Sequence, residues 1–213
     1  MKCRLPSFHI SFCGTACLGK SFLLSALEQE AEIGVVYSDY KENTDRIPLF
    51  KLKHKSLSIQ AVYTANMMRM YYGSECTNPI VCHDRNMFSD IFYDCVNLEL
   101  HETGKGVRKL EEVYSEPLFV DILNVPTIFL YTDKECEGKV LEKMLERDNG
   151  LDLMTGKYVT IQNLIFKHLR RMVEGNSRYS NFRFLEITRD TLYTSQVIKM
   201  AKDLVYQMKS DIM

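Results

Sequence analysis

Gly14-Thr15-Ala16-Cys17-Leu18-Gly19-Lys20-Ser21 fits the spacing GxxxxGK[ST]. At that spacing glycines let the backbone curl until successive N–H groups converge on an anion. Lys20 would reach the β- and γ-phosphates of a nucleoside triphosphate, and Ser21 would hold Mg²⁺. As a lysine on an open loop, Lys20 is expected to be exposed and to contribute little to stability. Such a loop needs a strand before it and a helix after it, so that the positive end of the helix dipole reinforces the amides. Both are present: Phe8-His9-Ile10-Ser11-Phe12-Cys13 alternates and is rich in strand formers, and Phe22-Leu23-Leu24-Ser25-Ala26-Leu27 is helical in pattern.

A second constellation, His83-Asp84-Arg85-Asn86-Met87-Phe88-Ser89-Asp90, follows the short apolar run Ile80-Val81-Cys82. At the carboxyl edge of a parallel strand, an acid beside an arginine offers a general base or a Mg²⁺ contact next to a cation for phosphates. The same pair fits a solvated ion pair at a helix start with Asp84 as its cap. A guanine-reading NKxD segment is absent, as is a strand ending in an acid followed by Gly.

The elements that position these groups alternate. Ile33-Gly34-Val35-Val36-Tyr37, Thr127-Ile128-Phe129-Leu130-Tyr131 and Phe182-Arg183-Phe184-Leu185-Glu186-Ile187 read as further strands. Leu57, Val62, Tyr63, Met67 and Met70 recur at helical spacing. So do Val140, Leu141, Met144 and Leu145, then Ile161, Leu164, Ile165, Leu169 and Met172, and finally Val197, Met200, Ala201, Leu204, Val205 and Met208. Strands interleaved with helices predict an α/β fold, a parallel sheet of about five strands covered on both faces.

Composition bounds the rest. At 213 residues, 46% hydrophobic, the chain can bury one substantial core, and residues 1–213 are expected to form a single domain. With 27 Lys plus Arg against 28 Asp plus Glu, no global positive field points to a nucleic acid or an anionic membrane as partner. Seven scattered cysteines form no CxxC pair and no small disulfide framework, which fits a reducing compartment, cytoplasmic or nuclear. The five histidines show no metal-ligand spacing. No segment reads as a secretory leader or a membrane span.

On these motifs the chain resembles the deoxynucleoside kinase family, relatives of thymidylate kinase. The P-loop, Asp39 after the second strand, Gln60 on a helix, and Asp84-Arg85-Asn86-Met87-Phe88-Ser89-Asp90 match the family's order, with a 24-residue step from Gln60 to Asp84. Leu110-Glu111-Glu112-Val113-Tyr114 is similar to the family's Leu-Glu-Glu-Trp-Tyr segment. Lys157-Tyr158-Val159 leading into Leu164 and His168 is similar to its Tyr-Leu-x-x-Leu-His helix. The resemblance runs from about Phe8 to Met172 and implies a three-layer P-loop kinase fold, with ATP and Mg²⁺ as cofactors and a small-molecule nucleoside or nucleotide as partner. It also implies a homodimer and a lid near residues 143–157.

It further implies roles. Asp39 would accept the proton of an attacking 5′-hydroxyl, although the polar setting Ser38-Asp39-Tyr40 equally suits a turn. Arg85 would steady Asp39 and the transferring group, with Asp84 beside the metal. Lys143 and Arg147, one helical turn apart, would close over the donor, or else form an exposed helix face. Gln60 would read the base edge between Tyr63 and Phe92, rings that also suit a core. Met67 and Asp152 join the substrate side. Asp90 would favour a base carrying an exocyclic amine, and Thr188-Arg189-Asp190 resembles the loop bordering the donor adenine. Departures are plain: Asp stands where the family has Glu at positions 39 and 84, there is no Trp, and the lid is thin in arginine. They suit a divergent, viral gene and leave room for a weakened enzyme.

Overall fold

A computed structural model describes residues 7–37, 76–85, 89–117, 124–147 and 155–213, without the side chains of residues 90 and 147. Five parallel strands, β1 (Phe8–Gly14), β2 (Ile33–Val36), β3 (Ile80–Asp84), β4 (Thr127–Thr132) and β5 (Phe182–Ile187), form one sheet in the order β2-β3-β1-β4-β5. The central β3 and β4 carry the apolar runs Ile80-Val81-Cys82 and Ile128-Phe129-Leu130-Tyr131, as strands covered on both faces do, while β1 alternates and the apolar run Ile33–Val36 lies at the sheet edge. Every residue of β3 and β4 is buried, whereas the outer β2 and β5 are only partly so. The register places Phe12 opposite Asp84 and Gly14 opposite Leu130, so the ends of β1, β3 and β4 lie side by side.

Helices α1 (Lys20–Leu27) and α6 (Ser195–Ile212) pack together on one face. On the other, α2 (Ser89–His101) and α3 (Lys105–Ser115) pack on α5 (Gly156–Val173), which also carries α4 (Glu137–Arg147). The α2–α3 hairpin is closed from inside. Glu99, 5% exposed, accepts from the N–H groups of Gly104, Gly106 and Val107 at 2.7, 3.0 and 3.2 Å, which supplies the open helix start with partners. Gly106 is required there, since a Cβ would lie 2.0 Å from the Cys95 carbonyl oxygen.

The core under α2, α3 and α5 is aromatic. Phe92 is 1% exposed and lies among Tyr114, Phe129 and Phe166, with ring centroids 5.9, 5.3 and 5.3 Å away. Phe92 therefore belongs to the core and presents no wall to a base, a correction to its expected role. Truncating it to Ala would cost about 3–5 kcal/mol. Among the described residues no helix is long and apolar enough to cross a membrane.

Candidate functional site

The chain leaves β1 toward β2 on one side and β4 toward β5 on the other, so the carboxyl ends of β1 and β4 open a crevice. Gly14 begins the turn into it. At φ 145° a Cβ would lie 2.2 Å from the Leu130 oxygen, so only glycine lets β1 and β4 approach this closely. The Thr15 N–H then donates to that same oxygen at 3.1 Å. Cys17 (φ 57°) and Gly19 (φ 83°) both adopt left-handed backbone, turning the loop onto the start of α1. Gly19 caps α1 without a side-chain acceptor, and the first turn carries no acid, so its leading N–H groups face outward with no helix partner.

Above them lies a cleft of about 490 Å³ lined by Cys17, Gly19, Lys20, Ser21, Phe22, Lys143, Glu146 and Tyr193. Among the expected nucleotide-binding residues, Cys17, Gly19, Lys20, Ser21 and Lys143 thus meet at one place. Gly14, Thr15, Ala16 and Leu18 lie beneath, buried, and shape the loop.

Lys20 corrects an expectation. It is 9% exposed, not an open loop lysine. Burial holds its pKa below the ordinary value, the Arg85 charge adds to that, and the Asp84 carboxylate pulls the other way. Asp84 ends β3 at 8% exposure, and Arg85 follows in left-handed backbone (φ 79°), its N–H donating to the Phe12 oxygen at 2.9 Å. The Arg85 guanidinium lies 4.7 Å from the centre of the Tyr93 ring, a contact that steadies it. Asp84 is buried within β3, which corrects the solvated setting the sequence also allowed for it. Lys20, Asp84 and Arg85 thus form one partly desolvated charged group at the carboxyl edge of the sheet.

Lys143 reaches the cleft from α4 and is paired with Glu146 at 2.6 Å, which raises its pKa; both are exposed. That pairing offsets the bare cation the sequence implied. Arg189 is exposed in the turn after β5 and does not line the cleft. Tyr193 of the same segment does. Its hydroxyl donates to the Cys17 oxygen at 2.8 Å and its ring meets Phe22 edge-on at 5.6 Å. The Phe22–Tyr193 pair had no clear signal in the sequence, since both read as ordinary helix-face or loop aromatics.

Asp39, Gln60, Tyr63, Met67 and Asp152 lie outside the described residues, as do the side chains of Asp90 and Arg147.

Residues that sequence reasoning missed lie on α5. The expected apolar stripe there is partly wrong: Leu164 is 40% exposed, while Gln162 and Asn163 are 0% and 1% exposed and face the loop. Gln162 Oε1 accepts from the Ala16 N–H at 3.0 Å, and Asn163 Oδ1 accepts from Thr15 Oγ1 at 2.7 Å. Two adjacent amides between the apolar residues Ile161 and Leu164-Ile165-Phe166 were the available signal.

No family model matches the chain. It is 29% identical, over 204 residues, to an uncharacterised 33.9 kDa protein in the PE 3′ region of Lymantria dispar multicapsid nuclear polyhedrosis virus. That match covers 96% of this chain and 66% of the relative. In fold it is similar to deoxyadenosine kinase from M. mycoides with bound dATP, at a TM-score of 0.62 and 16% identity, covering 92% of this chain and 98% of that one. The same kinase with bound dCTP gives 0.58 and 16%, over 94% and 100%. Thymidylate kinase from Candida albicans gives 0.55 and 13%, over 93% and 94%. The chain has the P-loop kinase fold: a five-stranded parallel sheet between two helical layers.

Proposed function

We propose that this chain is an ATP- and Mg²⁺-dependent kinase that phosphorylates the 5′-hydroxyl of a deoxynucleoside. The observation that carries this is the uncapped start of α1 opening on the cleft, with the buried Lys20 lining it and Asp84 and Arg85 close enough to act on the Lys20 charge. Fold neighbours that are deoxyadenosine and thymidylate kinases support it.

The loop amides and Lys20 would hold the donor's β- and γ-phosphates, where a desolvated cation acts more strongly than one in water. Hard oxygen donors at Ser21, on the cleft side of α1, and at Asp84 fit Mg²⁺, which binds through few protein ligands plus phosphates and water. When bound, Mg²⁺ supplies charge neutralisation on the phosphates. Arg85, held over Tyr93, would stabilise charge on the transferring phosphoryl. The acceptor oxygen forms its bond to the γ-phosphorus as the bridge to the β-phosphate breaks; the hydroxyl proton goes to Asp39, and ADP leaves.

Incubating the protein with ATP–Mg²⁺ and, separately, nucleosides and nucleoside monophosphates while following ADP tests the proposal. Turnover only with monophosphates would move thymidylate-type chemistry to the front; nucleotide binding without turnover would leave a nucleotide-binding interaction protein. An acid at position 39 argues against a monophosphate acceptor, whose own phosphate needs cations there. Asp39→Asn is expected to lower kcat by ~10²–10⁴-fold with nucleoside affinity nearly unchanged. A rise in KM alone would make Asp39 a binding residue.

A further inference from the structure

The polar contacts beneath the loop form one continuous chain. Glu137, the first residue of α4, accepts from Thr160 Oγ1 at 2.5 Å and from Asn163 Nδ2 at 3.2 Å. Asn163 Oδ1 accepts from Thr15 Oγ1 at 2.7 Å and from the Thr132 N–H, at the end of β4, at 3.2 Å. Next to it, Gln162 Oε1 takes the Ala16 N–H at 3.0 Å.

Asn163 thus uses both ends of its amide, one toward α4 and one toward the loop. Gln162 uses only its oxygen. Its Nε2 is buried and has no hydrogen-bond partner among the described residues. An apolar residue there would avoid the orphaned donor but would leave the Ala16 N–H unpaired instead. The direction of that N–H is what matters. Drawn inward at Ala16, the backbone then passes through left-handed Cys17 and Gly19, and the amides that follow are turned outward toward the cleft.

We propose that Gln162 and Asn163 are positioning residues: a buried brace that fixes the curvature of the loop and ties it through Glu137 to α4, the helix that carries Lys143 and Glu146 into the same cleft. The functional part rests on the phosphate-binding reading above; the mechanical part does not.

Amide hydrogen exchange across residues 14–21, measured on the full chain without ligand, tests it, with α6 as internal control for general destabilisation. Thr15→Val, Gln162→Leu and Glu137→Ala are each expected to speed loop exchange by ~10-fold, the equivalent of about one hydrogen bond, with α6 unchanged. Thr15→Ser, which keeps the hydroxyl donor, and Glu137→Gln, whose amide oxygen can accept from Asn163 Nδ2 while its NH2 donates to Thr160 Oγ1, are expected to stay at the wild-type rate. Affinity for ATP–Mg²⁺ is expected to fall by ~10-fold in the same three variants and not in the two conservative ones. Unchanged loop exchange in both Thr15→Val and Gln162→Leu would overturn the brace. Unchanged exchange in Glu137→Ala would overturn the tie to α4, and acceleration spread equally over α6 would reduce the network to general stability. If wild type bound no ATP–Mg²⁺ while the exchange pattern held, the proposed kinase activity would fall and the brace would stand.

Discussion

Among the described residues, two clefts of about the same size, 490 Å³ each, differ in almost everything else. One sits over the start of α1. The other lies by the end of α5 and the beginning of β5, lined among others by Arg170, Glu174, Tyr179, Phe182 and Arg183. At the first, a helix opens without a capping side chain, and a buried lysine is held where burial disfavours its charge. At the second, the helix end is closed: Gly175 (φ 81°) turns the chain, and the N–H groups of Glu174 and Asn176 return to the Arg170 and Val173 carbonyls at 2.8 and 3.0 Å. Its cations are committed. Arg183 holds Asp211 at 2.8 Å and the Ser180 and Phe182 carbonyls, and Arg170 holds Tyr131 and Glu174. Volume does not make an anion site; backbone donors left outside any ladder, backed by a desolvated cation, do.

The sharpest way to break the contrast is Lys20→Met. Nucleotide turnover is expected to fall by ~10²–10³-fold or more, measured as ADP release. Stability is expected to hold or rise. The fold disfavours the charged form of Lys20, so it withdraws stability at every pH below the folded pKa. That deficit closes as pH climbs toward the ordinary lysine range near ~10.4. Melting curves of wild type and variant should therefore converge as pH rises, and a variant that melts several degrees lower at neutral pH would show Lys20 to be a structural ion-pair member.

Base selectivity comes next in size. If Asp90 faces the base, deoxycytidine or a purine deoxynucleoside should exceed thymidine by ~10–100-fold in kcat/KM, and Asp90→Ala should narrow the gap. A wild-type preference for thymidine would remove Asp90 from the substrate side.

Cysteine chemistry sharpens the contrast within the first cleft. Cys17 lines it half-buried, whereas Cys82 and Cys95 are fully buried and burial pushes both thiols up to about 12. N-ethylmaleimide should label Cys17 well ahead of those two, as read by peptide mass mapping, and ATP–Mg²⁺ should slow that labelling severalfold. Equal rates with and without nucleotide would place the donor elsewhere.

The smallest effect belongs to the second cleft. Arg183→Gln should leave turnover unchanged and lower stability by less than about 1 kcal/mol in denaturant melts, because the Arg183–Asp211 pair is partly exposed and solvent-screened. A loss of nucleotide affinity there would join the two clefts functionally.

The amino-acid sequence by itself determined the parts of this protein that depend on local order. Segments of three to six residues that read as strands became β1 to β5 to within two residues at each end, and Gly14 and Gly19 fell where the backbone needs a conformation other residues resist. The loop, Lys20 and Ser21 were legible because their spacing is contiguous. What only the tertiary structure decided is how distant groups change one another. Lys20 is buried because β3 brings Asp84 and Arg85 beside it. Tyr193 meets Cys17 across 176 positions and Asn163 meets Thr15 across 148. Phe92 turns into the aromatic core, against Phe129 of β4. Periodicity reports which face of an element is apolar, but not which polar side chain on that face finds a backbone N–H to accept from. That is set only when strands far apart in the chain close into one sheet.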